Sequence, residues 1–273
     1  TLGTWLFYQT TNLVEVVLPH GVTNLSREMF YHSGVQKVNV PNTVTMIEAN
    51  AFDYAKTLKT IVFEEGGTEP LVIADATTTS GSLSYLYAPF YGCVSLTEIA
   101  LPERTSYIGA YGLTTGNSTT SNVSQIKSIR IPSTVTELGA YVLQYAANLT
   151  EVIFAEGSQL TEIPGYAFYY CSSLRTISLP ESVTSIGLYA FSHSSLQAIS
   201  LAEGITEIGY NAFSYTALTE ITIPSTVTKL GGKTTLTGST IGGYTFAYCY
   251  DLASVTFAEG SQLSSIESYA FYH

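Results

Sequence analysis

The side chains with the strongest claim to chemistry are three cysteines, four histidines and 21 acidic residues, and their spacing argues against a reactive site. Cys93, Cys171 and Cys249 each follow an aromatic plug at the same interval: Phe90-Tyr91-Gly92-Cys93, Phe168-Tyr169-Tyr170-Cys171 and Phe246-Ala247-Tyr248-Cys249. If the segments between them are stacked coils about 4.8 Å apart, successive thiols lie roughly 14 Å apart. That is beyond disulfide reach, so the thiols are expected to be buried, free and inert. His20, His32, His193 and His273 share no strict phase and form no His-Glu-x-x-His pair. The Glu residues recur at turn and strand-face positions, as solvated carboxylates do. Gly232-Lys233-Thr234 resembles the end of a phosphate loop, but the required first glycine falls on Val227. No convergent set is left for a catalytic residue, a cofactor or a metal, and the chain reads as a non-enzyme.

Composition narrows the partners. Only 11% of residues are charged and the net charge is −11, with ten basic residues in all. Nucleic acid binding needs clustered Lys and Arg and is not expected. No apolar run approaches a bilayer span, so membrane insertion by this stretch is not expected either. The chain lacks an initiating Met and starts and stops within a pattern, which reads as part of a longer chain.

The pattern is an internal repeat. Residues 174–195 read LRTISLPESVTSIGLYAFSHSS, and residues 196–217 read LQAISLAEGITEIGYNAFSYTA. The line starts at Leu13, Val35, Leu58, Leu96, Ile126, Leu149, Leu174, Leu196, Leu218 and Leu252. Six of the nine spacings lie between 22 and 25 residues; the other three, of 38, 30 and 34, contain Gly/Ser/Thr-rich insertions at 64–88, 113–125 and 231–243. A repeat of this length cannot bury its apolar face alone, so the whole of 1–273 is expected to stack as one solenoid. Ile177-Ser178-Leu179 alternates like a half-buried strand. Pro180, which has no ladder donor, ends it. Val183 and Ile186 turn inward again, Gly187 suits close approach or positive φ, and Ala190-Phe191 plugs the interior.

The line L-x-x-I-x-I-P-x-x-V-T-x-I-G-x-Y-A-F-x-x-C/S resembles the BspA-like, Treponema-type leucine-rich repeat over essentially the whole chain. The resemblance implies a mainly β leucine-rich-repeat solenoid, a right-handed superhelix with one short parallel strand per 22–25-residue repeat and an irregular or 3₁₀ convex side. It also implies an extracellular or cell-surface protein of the adhesive kind, associated with host-dwelling microbes. It carries over no functional residues.

Strand positions three and five then face outward over the concave sheet. The candidate binding face is Glu15, Lys37, Glu98, Arg130, Glu151, Thr176 and Glu220, on a mildly acidic, hydroxyl-rich surface. The expected ligand is an extracellular protein or glycan, with a passive stalk as the alternative role. Poorly capped strand edges near Leu13–Leu18 and Leu252–Phe257 predict end-on self-association. The 21 tyrosines cluster just before the Ala-Phe pair (Tyr111, Tyr141, Tyr166, Tyr189, Tyr244, Tyr269) and just after it (Tyr31, Tyr54, Tyr91, Tyr145, Tyr169, Tyr215, Tyr248, Tyr272), and should stack into two ladders. Asn24, Asn117, Asn122 and Asn148 head glycosylation sequons, which matter only in a eukaryotic source.

Overall fold

The computed structural model describes residues 2–78, 86–118, 122–232, 234–236 and 239–273; Lys233 and the middle of each insertion lie outside them. No helix occurs among the described residues. The chain winds through parallel strands held to the next coil in register, and the repeat is built on three ladders of backbone hydrogen bonds.

The first ladder is the expected one. Glu15–Val17, Lys37–Val40 and Thr60–Phe63 pair in sequence, as do Ser128–Ile131 with Glu151–Phe154, Thr176–Ser178 with Ala198–Ser200, and Glu220–Ile223 with Ser254–Phe257. The line starting at Leu96 departs from this. Residues 98–101 form no strand, because the Leu101 N–H turns back to the Ile99 carbonyl at 3.1 Å. Ile99 and Leu101 remain buried and Glu98 and Ala100 exposed, so the alternation survives where the ladder does not.

A second ladder accompanies the first, and gives each repeat an additional strand. Asn24–Leu25, Met46–Ile47, Leu71–Ile73, Thr105–Ile108 and Glu137–Leu138 form one run. Glu162–Ile163, Ser185–Ile186, Glu207–Ile208, Lys229–Leu230 and Ser265–Ile266 form another. These are the V-T-x-I segments, whose apolar residues point inward. Leu71–Ile73 shows that the 64–88 segment contains the third line's own second strand. The extra chain there includes a short antiparallel pair, Thr77–Thr78 with Leu86–Tyr87; the ninth line carries another, Thr234–Leu236 with Ser239–Ile241.

The glycine that ends the second strand is set by close approach. A Cβ on Gly187 would lie 2.5 Å from the Gly165 nitrogen, and one on Gly139 only 2.0 Å from the Ala110 nitrogen. Positive φ falls elsewhere: the coils of Phe90 and Leu113 have one such residue each, Gly92 and Tyr111, and most coils have two, flanking the plug. Two residues before it, Tyr141, Tyr166, Tyr189 and Tyr244 have φ of 63°, 59°, 53° and 54°. Two residues after it, Tyr145, Tyr170, His193 and Tyr215 have φ of 58°, 58°, 58° and 57°. A left-handed conformation costs a non-glycine residue about 1–2 kcal/mol. It offsets that cost by aiming alternate N–H groups at the next coil: Tyr189 donates to Tyr210 O, Phe191 to Ala212 O and His193 to Ser214 O, at 2.8–2.9 Å. This turn ladder is the third, and it replaces the helix that many repeat folds place here.

Inside it the plugs stack. Phe7, Phe30, Phe52 and Phe90 lie 4.9–5.4 Å apart, and Phe168, Phe191, Phe213, Phe246 and Phe271 lie 5.3–5.5 Å apart. Leu113 and Leu143 take the same place between the two stacks and are as buried as the inner rings Phe30 to Phe90 and Phe168 to Phe246; Phe7 and Phe271, at the ends, are more exposed. Offset aromatic pairs add about 0.5–1.5 kcal/mol each beyond area burial.

Candidate functional site

The thiols close off the reactive reading. Cys93, Cys171 and Cys249 are free and buried, and each Sγ lies within hydrogen-bonding distance of the plug carbonyl of the preceding coil: Phe52 O at 3.1 Å, Leu143 O at 3.4 Å and Phe213 O at 3.1 Å. Burial pushes all three thiols above their ordinary range, so thiolate is scarce. Among the described residues no three His, Cys, Asp or Glu side chains converge as metal ligands.

The outer face of the first ladder is a better candidate. Alternation on a half-buried strand forces positions three and five outward. Glu15 and Lys37 lie opposite each other, with Lys37 Nζ 2.8 Å from Glu15 Oε1. Asn39 donates to the same oxygen at 3.1 Å. The Lys37 hydrogen bond, then that from Asn39, hold the Glu15 carboxyl below its usual range. Arg130 reaches back to Glu103 instead of either neighbouring candidate. Glu151 sits across from Ser128, Thr176 across from Ala198 and Glu220 across from Ser254. Glu98 lies on the segment that fails to join the ladder. The seven candidates are therefore outward-facing or rim-lying, but they share no single pocket; only Glu15 and Lys37 pair with one another.

What the reading by residue type passed over is apolar. Position five exposes Val17, Val62 and Ile153, at 71%, 41% and 43% of their surface. Two clefts open beside the first two. One, of about 300 Å³, lies among Val17, His20, Asn39, Pro41, Val62 and Glu64. The other, of about 240 Å³, lies where Thr60–Phe63 faces the unpaired segment carrying Glu98, Ala100 and Pro102. Strand alternation signals the exposure of these residues; the cleft depends on a missing strand that the repeat template does not reveal.

The tyrosines stack as their constant phase requires, but in more columns than two. Tyr111, Tyr141, Tyr166 and Tyr189 form one, with centroids 4.5–4.8 Å apart. Tyr170, His193, Tyr215 and Tyr248 form the second, at 4.2–4.3 Å. Tyr31, Tyr91, Tyr169 and Tyr272 sit one residue after the plug, between these columns. His32, His193 and His273 occupy the second column, so three of the four histidines hold a phase, with His20 outside it: it is the left-handed position, which histidine tolerates better than most residues. Two sequon asparagines are also engaged, Asn24 donating to Glu48 at 3.2 Å and Asn148 to the Ser124 carbonyl at 2.8 Å.

Comparison with known proteins agrees with this architecture. None of the curated proteins matches the sequence. A leucine-rich repeat protein from Bacteroides ovatus superposes with a TM-score of 0.66 at 21% identity, over 93% of this chain and 68% of that one. A leucine-rich repeat protein from Eubacterium ventriosum gives 0.50 at 20% identity, over 97% and 69%. The pneumococcal vaccine antigen PcpA gives 0.50 at 15% identity over 92% of this chain, which spans only 56% of that antigen. At these identities the likeness is one of fold. The profile of the BspA type leucine rich repeat region matches in six copies, over residues 1–70, 87–125, 114–235 and 233–273, and the chain belongs to that family.

Proposed function

We propose that the chain is a non-enzymatic interaction module of an extracellular or cell-surface protein, which binds a partner protein or glycan through the outer face of its first ladder. The observation that carries this is the row Val17, Asn39 and Val62, fixed in register on a hydrogen-bonded sheet and bordered by clefts of about 300 and 240 Å³. A preordered sheet loses little entropy on binding, and exposed β-branched side chains between polar neighbours suit a protein surface better than a sugar. The extracellular setting and adhesive role follow the family expectation.

A passive stalk is the second reading. It is favoured by the turn ladder, whose hydrogen bonds join one coil to the next past the breaks in both strand ladders.

The experiment is a binding screen of the chain against matrix proteins, mucins, immunoglobulins and a glycan array. Saturable binding that weakens at least about tenfold in Val17→Asp and Val62→Asp supports the module. Loss in Glu98→Ala, Arg130→Ala or Glu151→Ala instead moves the site along the same face. Saturable binding indifferent to all five, or no binding anywhere, contradicts the proposal, and the second result favours the stalk.

A further inference from the structure

From Tyr111 to His273 the columns beside the plugs hold mostly rings, with Asn211 in one gap. Between Trp5 and Gly92 they do not. The position two residues before the plug passes through Trp5, Glu28, Asn50 and Ala88, and the position two after it ends on Gly92, where a Cβ would come within 3.0 Å of Tyr54. The position one after the plug reads Tyr8, Tyr31, Asp53 and Tyr91. Glu28 and Asn50 thus stand where rings stand in most later coils, and Asp53 puts a carboxyl where later coils carry Thr114, Ser192 or Ser214. The insertion of the third line folds back and adds Leu86 and Tyr87 as a wall.

The result is a cleft of about 570 Å³ bounded by Tyr31, His32, Tyr54, Tyr87 and Tyr91, with Asp53 lining it from below. A second compartment of about 550 Å³ shares Tyr31 and Tyr87 and adds Trp5, Tyr8 and Glu28. Glu28 is satisfied: it accepts the Trp5 indole N–H and lies 3.7 Å from Arg27 Nε. Asp53 is satisfied only in part. It is 2% exposed and accepts a backbone hydrogen bond from Tyr54, but its Oδ1 has no hydrogen-bond partner, and no cation among the described residues pairs with it. Asn50, one turn earlier and fully buried, also leaves both amide atoms unpartnered. Buried polar groups without partners are rare and costly in native proteins. One that lines an aromatic cleft marks a place where a ligand's charge or donor belongs.

The rings indicate which ligand. The protein already sets its own cations over two of them, Arg27 Cζ 5.5 Å from the Tyr87 centroid and Lys56 Nζ 5.6 Å from the Tyr54 centroid. Ring faces beside a carboxyl attract cations strongly once desolvated, and a net charge of −11 draws cations toward the protein. We propose that this cleft is a binding site for an organic cation, an ammonium or guanidinium group that docks on Asp53 against the faces of Tyr31 and Tyr91. The site is independent of the first-ladder face, so either proposal stands if the other fails.

Burial, reinforced by the Glu28 charge, pushes the Asp53 carboxyl up to about 8. Tyr31, Tyr54 and Cys93 also face it, and burial holds all three above their ordinary values, so they stay neutral there. His32, at the cleft wall, is held below its ordinary value by burial and then by Lys56, so it is neutral at this pH as well. Below pH 8 a cation must displace the Asp53 proton, so its affinity rises with pH.

Trp5 is the only tryptophan in the chain and lines the adjoining compartment, which makes its fluorescence a reporter. The test titrates the chain with agmatine and cadaverine as free amines, and with N-acetyl-lysine and N-acetyl-arginine methylamides as basic side chains. N-acetyl-norleucine methylamide and methyl glucoside serve as neutral controls, and calorimetry runs in parallel. The expected result is saturable binding of a cationic probe, inert controls, affinity rising about tenfold per pH unit up to pH 8, and a loss of at least about tenfold in Asp53→Asn. Whether the amines or the methylamides bind tighter assigns the natural source. If circular dichroism shows that Asp53→Asn fails to fold, Tyr31→Leu must give the same loss. Absent saturation in both readouts, equal binding of a neutral control, or binding unchanged in a folded variant overturns the proposal.

Discussion

At the scale of the residue, the left-handed tyrosines are where ordinary preferences are reversed. Tyr189 has φ of 53° and stacks 4.8 Å from Tyr166. Replacing it by Ala or Gly removes the ring equally, but only Gly relieves the backbone. Tyr189→Gly should therefore be more stable than Tyr189→Ala by about 1 kcal/mol in urea denaturation, opposite to the order in a helix. The buried thiols give a second expectation: a disulfide-exchange reagent should detect almost none of the three in the native chain and all three after denaturation. Asp53 gives a third. Its carboxyl is raised to about 8 in the folded state, so the folded chain holds that proton more tightly than the unfolded chain does. The stabilisation is complete below pH 4 and declines as pH rises toward 8. Urea midpoints of the unaltered chain should carry this decline, and Asp53→Asn should flatten it.

At the scale of the element, the glycine before the plug shows how neighbouring coils constrain one another. Gly187→Ala forces a Cβ to within 2.5–2.9 Å of backbone atoms at Pro164 and Gly165, and should cost about 1–3 kcal/mol. Gly204→Ala meets nothing nearer than 3.4 Å, and should be neutral or stabilise by up to about 1 kcal/mol. Thermal melts of the two variants separate the cases. Much of this was legible in the sequence: strand starts, inward Val183 and Ile186 and the Phe plug follow from spacing, whereas at Gly187 the sequence left positive φ and close approach both open and the structure shows the second. The second strand was not, because Ser185–Ile186 is too short to show a period. The turn ladder was not, because Tyr rarely adopts positive φ and nothing in its type announces that it does so here. The missing strand at residues 98–101, which shapes the cleft beside Val62, depends on one backbone turn that the template line conceals.

At the scale of the whole molecule, contacts run only from coil to coil, and both ends of the first ladder are open. Glu15–Val17 and Ser254–Phe257 each pair on one side, near exposed Val14, Val17 and Phe257. We expect this 273-residue chain to associate end to end, with a sedimentation coefficient that rises with concentration; a constant monomer value would contradict that. The central claim concerns the face between those ends. Its most direct test is amide hydrogen exchange of the chain with and without a partner protein taken from the binding screen. The account predicts added protection over Glu15–Val17, Lys37–Val40, Thr60–Phe63 and residues 98–101, with the turn ladder unchanged. Added protection confined to the turn residues around Tyr141, Tyr166 and Tyr189, with the first ladder unchanged, would contradict it.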